Sequence, residues 1–110
     1  MDDAQGQKEY VREVLEAYRK TPGTTGIIRP PDRMLAAQLY QRGVSLRVVE
    51  NALLLAVARR TIRPANAPRL GTIRSLAYFL PVIEEVIGLS VNPDYFQYLR
   101  CKLDRIASKR

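Results

Sequence analysis

The sequence predicts an all-α fold, a compact bundle of about five helices. Apolar residues recur at steps of three and four along most of the chain, whereas two-residue alternation does not persist. Glycine and proline fall between these periodic stretches, where helices end. With 46% hydrophobic and 26% charged residues, the composition is that of a folded domain and not of a disordered chain. A chain of 110 residues with no repeat and no long linker makes one core, so a single domain over 1–110 is expected, with frayed ends at about 1–4 and 108–110.

The first helix, about 4–20, carries Val11, Val14, Leu15 and Tyr18 on one stripe with Tyr10 beside it, and "TPGTTG" stops it. "IIRPPDRM" leads into a second helix over about 31–42, since Pro31 suits a first turn and Asp32 suits the positive end of the helix dipole. Met34, Leu35, Ala37 and Leu39 are expected to form its buried side. Gly43 is the natural stop. Ser45 then caps a third helix running to about Arg60, with Leu46, Val49, Leu53, Ala56 and Val57 in register. Leu54 and Leu55 make this helix apolar almost all round, which marks it as central.

A fourth helix is expected to begin near Thr72, with Ile73, Leu76, Leu80, Ile83 and Ile87 inward and Pro81 kinking or restarting it. Tyr78 and Phe79 could stack bases, but lying in this apolar run they are expected in the core. "NPDY" opens the fifth helix, from 93 to about 108, with Asn92 as cap and Phe96, Leu99, Leu103 and Ile106 as its core stripe.

Charge is the clearest pointer to function. Residues 1–20 hold four bases against five acids, while residues 21–110 hold fourteen bases against six acids, for a net charge of +7 over the chain. Fourteen of the cations are arginine, whose planar fork suits phosphate. Between Glu50 and Glu84 there is no acidic residue, yet Arg59, Arg60, Arg63, Arg69 and Arg74 fall there. The first two sit where a helix C-terminus favours cations. Dipole capping leaves the other three unexplained, and Pro64 and Pro68 are expected to stiffen the loop in extended form. On the fifth helix Tyr98, Lys102, Arg105 and Lys109 share one face, an aromatic interleaved with cations as in proteins that stack single-stranded bases. A solvated surface would have a similar composition.

Other chemistry finds less support. There is no histidine and only one cysteine, Cys101, so neither a disulfide within the chain nor the usual metal ligand set is available, and no cofactor is expected. Cys101 lies between two cations but reads best as a small helix residue. Glu84 and Glu85, adjacent on a helix, point in different directions and cannot share a proton. No phosphate-cradling glycine loop occurs, and the chain is expected not to be an enzyme. The apolar runs are too short to span a membrane, and the acidic start "MDDAQGQKEY" is unlike a targeting peptide, so a cytoplasmic protein is expected.

The turn at "AAQLYQRGVSLRVVENAL" resembles a helix-turn-helix, but Leu39 stands where a small residue is usual and the second helix continues as "ALLLAVA". A further likeness rests on "GVSLRVVENALLLAVAR", a basic loop and "IRSLAYFLPVIEEV". Together these resemble the C-terminal helical domain of DnaD-like primosome and phage replication-initiation proteins, over about residues 18–86. Thr72 and Leu80 occupy the places of that family's tyrosine and tryptophan. The resemblance implies DNA binding, single-stranded DNA included, through the basic loop, in a replication setting and as an oligomer.

The expected partner is therefore nucleic acid, DNA favoured over RNA, contacted at phosphates by Arg59, Arg60, Arg63, Arg69 and Arg74, and secondarily by Tyr98, Lys102, Arg105 and Lys109. Two alternatives differ in class. One is a non-catalytic assembly subunit docking on a ribonucleoprotein or an acidic protein, and the other is a helix-turn-helix regulator.

Overall fold

Residues 2–88 and 93–108 are described by a computed structural model. They form α1 (Asp2–Lys20), α2 (Pro30–Gln41), α3 (Leu46–Thr61), a 3₁₀ turn (Leu76–Phe79), α4 (Leu80–Gly88) and α5 (Pro93–Ser108). The fold is an all-α bundle, as the apolar periodicity predicts. The cap expected at Asn92 lies outside the described residues.

α3 occupies the centre, packing against α1, α4, α5 and the 3₁₀ turn. It buries Val49, Ala52, Leu53, Leu55, Ala56 and Ala58, a set that wraps well beyond one stripe. Its start is fixed as the sequence implies: Val48 N–H donates to Ser45 Oγ at 3.2 Å. Before it, the chain leaves α2 through Gly43, whose φ of 77° favours glycine, and Val44 N–H returns to Leu39 O.

The core is filled from every element: Val14 and Tyr18 from α1, Leu39 from α2, Leu76 and Phe79 from the 3₁₀ turn, Ile83 from α4, and Phe96 and Leu99 from α5. The Tyr18 and Phe79 rings meet edge to face at 6.0 Å between centroids. Burying side chains of this size contributes about 1.5–3 kcal/mol each.

Two elements depart from expectation. In α2 the inward residues are Asp32, Ala36 and Leu39, while Met34 is exposed and Leu35 and Ala37 are only half-buried. The helix is rotated so that Asp32, not an apolar side chain, occupies the buried first turn. Its Oδ2 accepts from Arg29 N–H at 2.9 Å, and its Oδ1 accepts from Leu76 N–H at 2.9 Å, across 44 residues.

The fourth helix does not start at Thr72. Ile73 is extended and buried, bridging to Thr24: its N–H donates to Gly23 O at 2.7 Å, and its O accepts from Thr25 N–H at 3.0 Å. With Ile73 and Leu76 both held by partners elsewhere, the backbone winds up only as a 3₁₀ turn. Pro81 then falls in the first turn of α4, where no backbone donor is needed, so it starts the helix and does not kink it. Ile87, expected inside, is exposed near the end of this short helix.

Asp32→Asn removes one acceptor oxygen and sets an amide donor against a backbone N–H. We expect it to lower the unfolding free energy by about 2 kcal/mol, read from the urea midpoint at unchanged slope. An unmoved midpoint would show that the two bonds to Asp32 do not hold the fold.

Candidate nucleic-acid interface

The end of α3 and the loop that follows it bring the predicted arginines to one region, but in three different states. Arg59 is neutralised. Its guanidinium grips Glu85 on α4 as a fork, with Nη1–Oε2 at 2.9 Å and Nη2–Oε1 at 2.5 Å. Although no acid lies between Glu50 and Glu84 in the sequence, a carboxylate does reach this cluster, from α4 and 26 residues away along the chain. Glu84 turns instead to Arg42, at 2.7 Å, so the two adjacent glutamates do diverge.

Arg60 and Arg63 are used to shape the loop. Arg60 Nη2 donates to Gly71 O at 2.6 Å, and Nη1 donates to Tyr78 Oη at 3.1 Å, with the guanidinium carbon 5.6 Å from the Tyr78 ring centroid. The same guanidinium lies against Gly23, where a Cβ would come within 3.4 Å of Nε, and the φ of 92° there independently calls for glycine. Arg63 Nη1 donates to Pro68 O at 2.8 Å, and Ala67 N–H closes a turn onto Pro64 O. The proline loop is thus folded on itself, not extended as expected.

Arg69 and Arg74 are exposed, and among the described residues neither makes a hydrogen bond or ion pair. In the same stretch of chain Ile62, Leu70 and Tyr78 are also exposed, so its exposed residues mix cations with apolar and aromatic groups. The placement of Tyr78 corrects the expectation of a core residue, whereas Phe79 is fully buried as expected.

On α5, Tyr98 is 57% exposed and Lys102 Nζ lies 5.9 Å from its ring centroid. Arg105 is exposed on the same helix, and Lys109 lies outside the described residues. Phe96 and Leu99 face inward, as the stripe requires, while Leu103 and Ile106 are half-buried.

A basic feature that sequence reasoning missed lies between α1 and α2. Lys8, Arg12 and Arg33 line a groove of about 630 Å³ over Val11, Leu15, Ile28 and Ala37. Lys8 and Arg12, four apart on one helix face, were the available signal, masked by the acidic balance of the first twenty residues. Glu16 also lines the groove but is engaged by Arg19 and Lys20. Among the described residues no three His, Cys, Asp or Glu side chains converge, and no helix is long and apolar enough to cross a membrane.

The chain matches no protein-family model, no curated protein and no solved structure.

The two glutamates of α4 give this region a pH signature. Hydrogen bonds from Arg42 and Arg59, foremost among the causes, hold the Glu84 and Glu85 carboxyls below the ordinary carboxylate range. A carboxyl with a lowered folded-state pKa adds stability above its unfolded-state value of about 4.3, and loses it as pH falls through the lower folded value. Glu84→Gln/Glu85→Gln should therefore have a lower urea midpoint than the wild type at neutral pH. The gap should begin to narrow as pH falls below about 4.3 and close below the lowered folded-state values, and a gap constant with pH would assign the loss to packing instead of charge.

Proposed function

We propose that the protein binds nucleic acid through its phosphates, with Arg69 and Arg74 as the leading contacts and Arg60 and Arg63 shaping the loop that presents them. The supporting observation is that two exposed guanidiniums make no hydrogen bond or ion pair among the described residues, in a segment that contains no acid from residue 51 to residue 83. A guanidinium fork is well matched to phosphate oxygens, and an acid-free surface does not repel them. Arg59 contributes little, since Glu85 already cancels its charge. Tyr98, Lys102 and Arg105 on α5 provide a second surface of the same chemistry.

The enclosure of α3 weighs against a base-reading helix, because a helix laid in the major groove needs a free polar face. Binding is accordingly of limited sequence specificity. DNA is favoured over RNA by the resemblance to DnaD-like replication proteins, which also supplies the replication or mobile-element setting of this reading.

The test is fluorescence anisotropy with mixed-sequence single-stranded and duplex oligonucleotides over a range of salt. Arg69→Ala/Arg74→Ala is expected to weaken binding equally on all sequences and to reduce the duplex salt slope by about 1.8 units. Arg59→Ala is expected to leave that slope nearly unchanged. Absence of binding to every probe at low salt would overturn the proposal in favour of an acidic protein or a ribonucleoprotein as partner.

A further inference from the structure

We infer that Tyr78 is a base-stacking platform, so that this surface prefers a single strand with unpaired bases to a duplex, which it holds by phosphates alone. The inference rests on the phosphate-binding reading above and specifies its ligand.

The exposure of Tyr78 follows from the geometry of its turn. A 3₁₀ turn repeats every three residues, so Leu76 and Phe79 eclipse on one side. Both are fully buried, which leaves Ala77 and Tyr78 on the outside. Tyr78 is 46% exposed, a large aromatic at the surface of an otherwise apolar segment.

The ring is also fixed in place. Phe79 meets it edge to face at 5.2 Å between centroids and an interplanar angle of 81°, and Phe79 is itself locked in the core. Arg60 bonds the phenol oxygen, and its guanidinium carbon lies over the ring at 5.6 Å from the centroid, so a base is received on the remaining exposed part of the ring. A ring held in advance loses little freedom on stacking, and every base presents a face to it whatever the sequence.

Arg60 sets this ring beside the cations. One guanidinium joins Tyr78 Oη to Gly71 O, and Gly71 stands between Arg69 and Arg74 in the chain. A base lying on Tyr78 would thus sit beside the segment that carries Arg69 and Arg74, which make no hydrogen bond or ion pair among the described residues. Cations for the phosphates and an aromatic face for the base are the two components of single-strand recognition. In a duplex the base faces are already stacked, and Tyr78 would have nothing to cover.

The experiment compares three probes of equal length: a mixed-sequence single strand, the same strand carrying abasic sites, and the duplex. Tyr78→Ala and Tyr78→Leu are measured beside the wild type, with circular dichroism and urea midpoints as the check on folding. Tyr78→Trp places a single tryptophan in a chain that has none, making its emission a local reporter. The expected result is a roughly 5- to 100-fold loss on the intact strand for both Ala and Leu, with little change on the abasic strand and the duplex. The Tyr78→Trp emission should be quenched by the intact strand alone. Equal binding of all three probes, unchanged in Tyr78→Ala and with no change in Tyr78→Trp emission, overturns the stacking role and leaves the phosphate reading standing. No binding of any probe by the wild type overturns both.

Discussion

The carboxylate of Asp32 is the constraint on which the arrangement of the candidate surface depends. A buried carboxylate is costly unless its oxygens are satisfied, and here each takes a backbone N–H, one from the start of its own helix and one from Leu76. The first bond begins α2; the second fixes where the 3₁₀ turn begins. Leu76 and Phe79 can then enter the core together, and the direction of Tyr78 follows from theirs. A side chain of α2 thus sets the geometry of a surface that α2 does not itself form.

Electrostatics in this molecule is divided between architecture and surface. Arg42 and Arg59 hold α4 through Glu84 and Glu85. Arg60 and Arg63 bond carbonyl oxygens and so keep their charge while ordering the loop. Surface ion pairs contribute little individually to stability, so the main effect of Arg59–Glu85 is on the field: it removes one cation from the cluster. The positive surface is consequently smaller than five neighbouring arginines suggest, and centred further along the loop.

Most of the helical framework was legible in the sequence because apolar spacing, Ser45 and Gly43 are local signals that tertiary contacts reinforce. The start of α4 was not legible, because the residues that prevent helix at Ile73 and Leu76 are Gly23, Thr25 and Asp32, fifty or so residues earlier. Met34 and Asp32 misled for the opposite reason: hydropathy assigns the apolar residue inward, but paired backbone donors can make burial of the acid the better arrangement. In the candidate surface the cations were visible as a composition bias. Their separation into paired and bonded groups and those with no partner among the described residues depends on tertiary contacts, and so did the exposure of Tyr78.

The bridge between Thr24 and Ile73 has a consequence for how the loop is built. With Ile62 following directly from α3 and Ile73 pinned beside Gly23, the intervening segment is a closed loop between two fixed posts. The entropy of closing such a loop grows only with the logarithm of its length, about 0.6 kcal/mol for each doubling. Residues within it can be exchanged, added or removed at small cost to the bundle. The length and composition of this loop and the packing of the core are therefore largely separable.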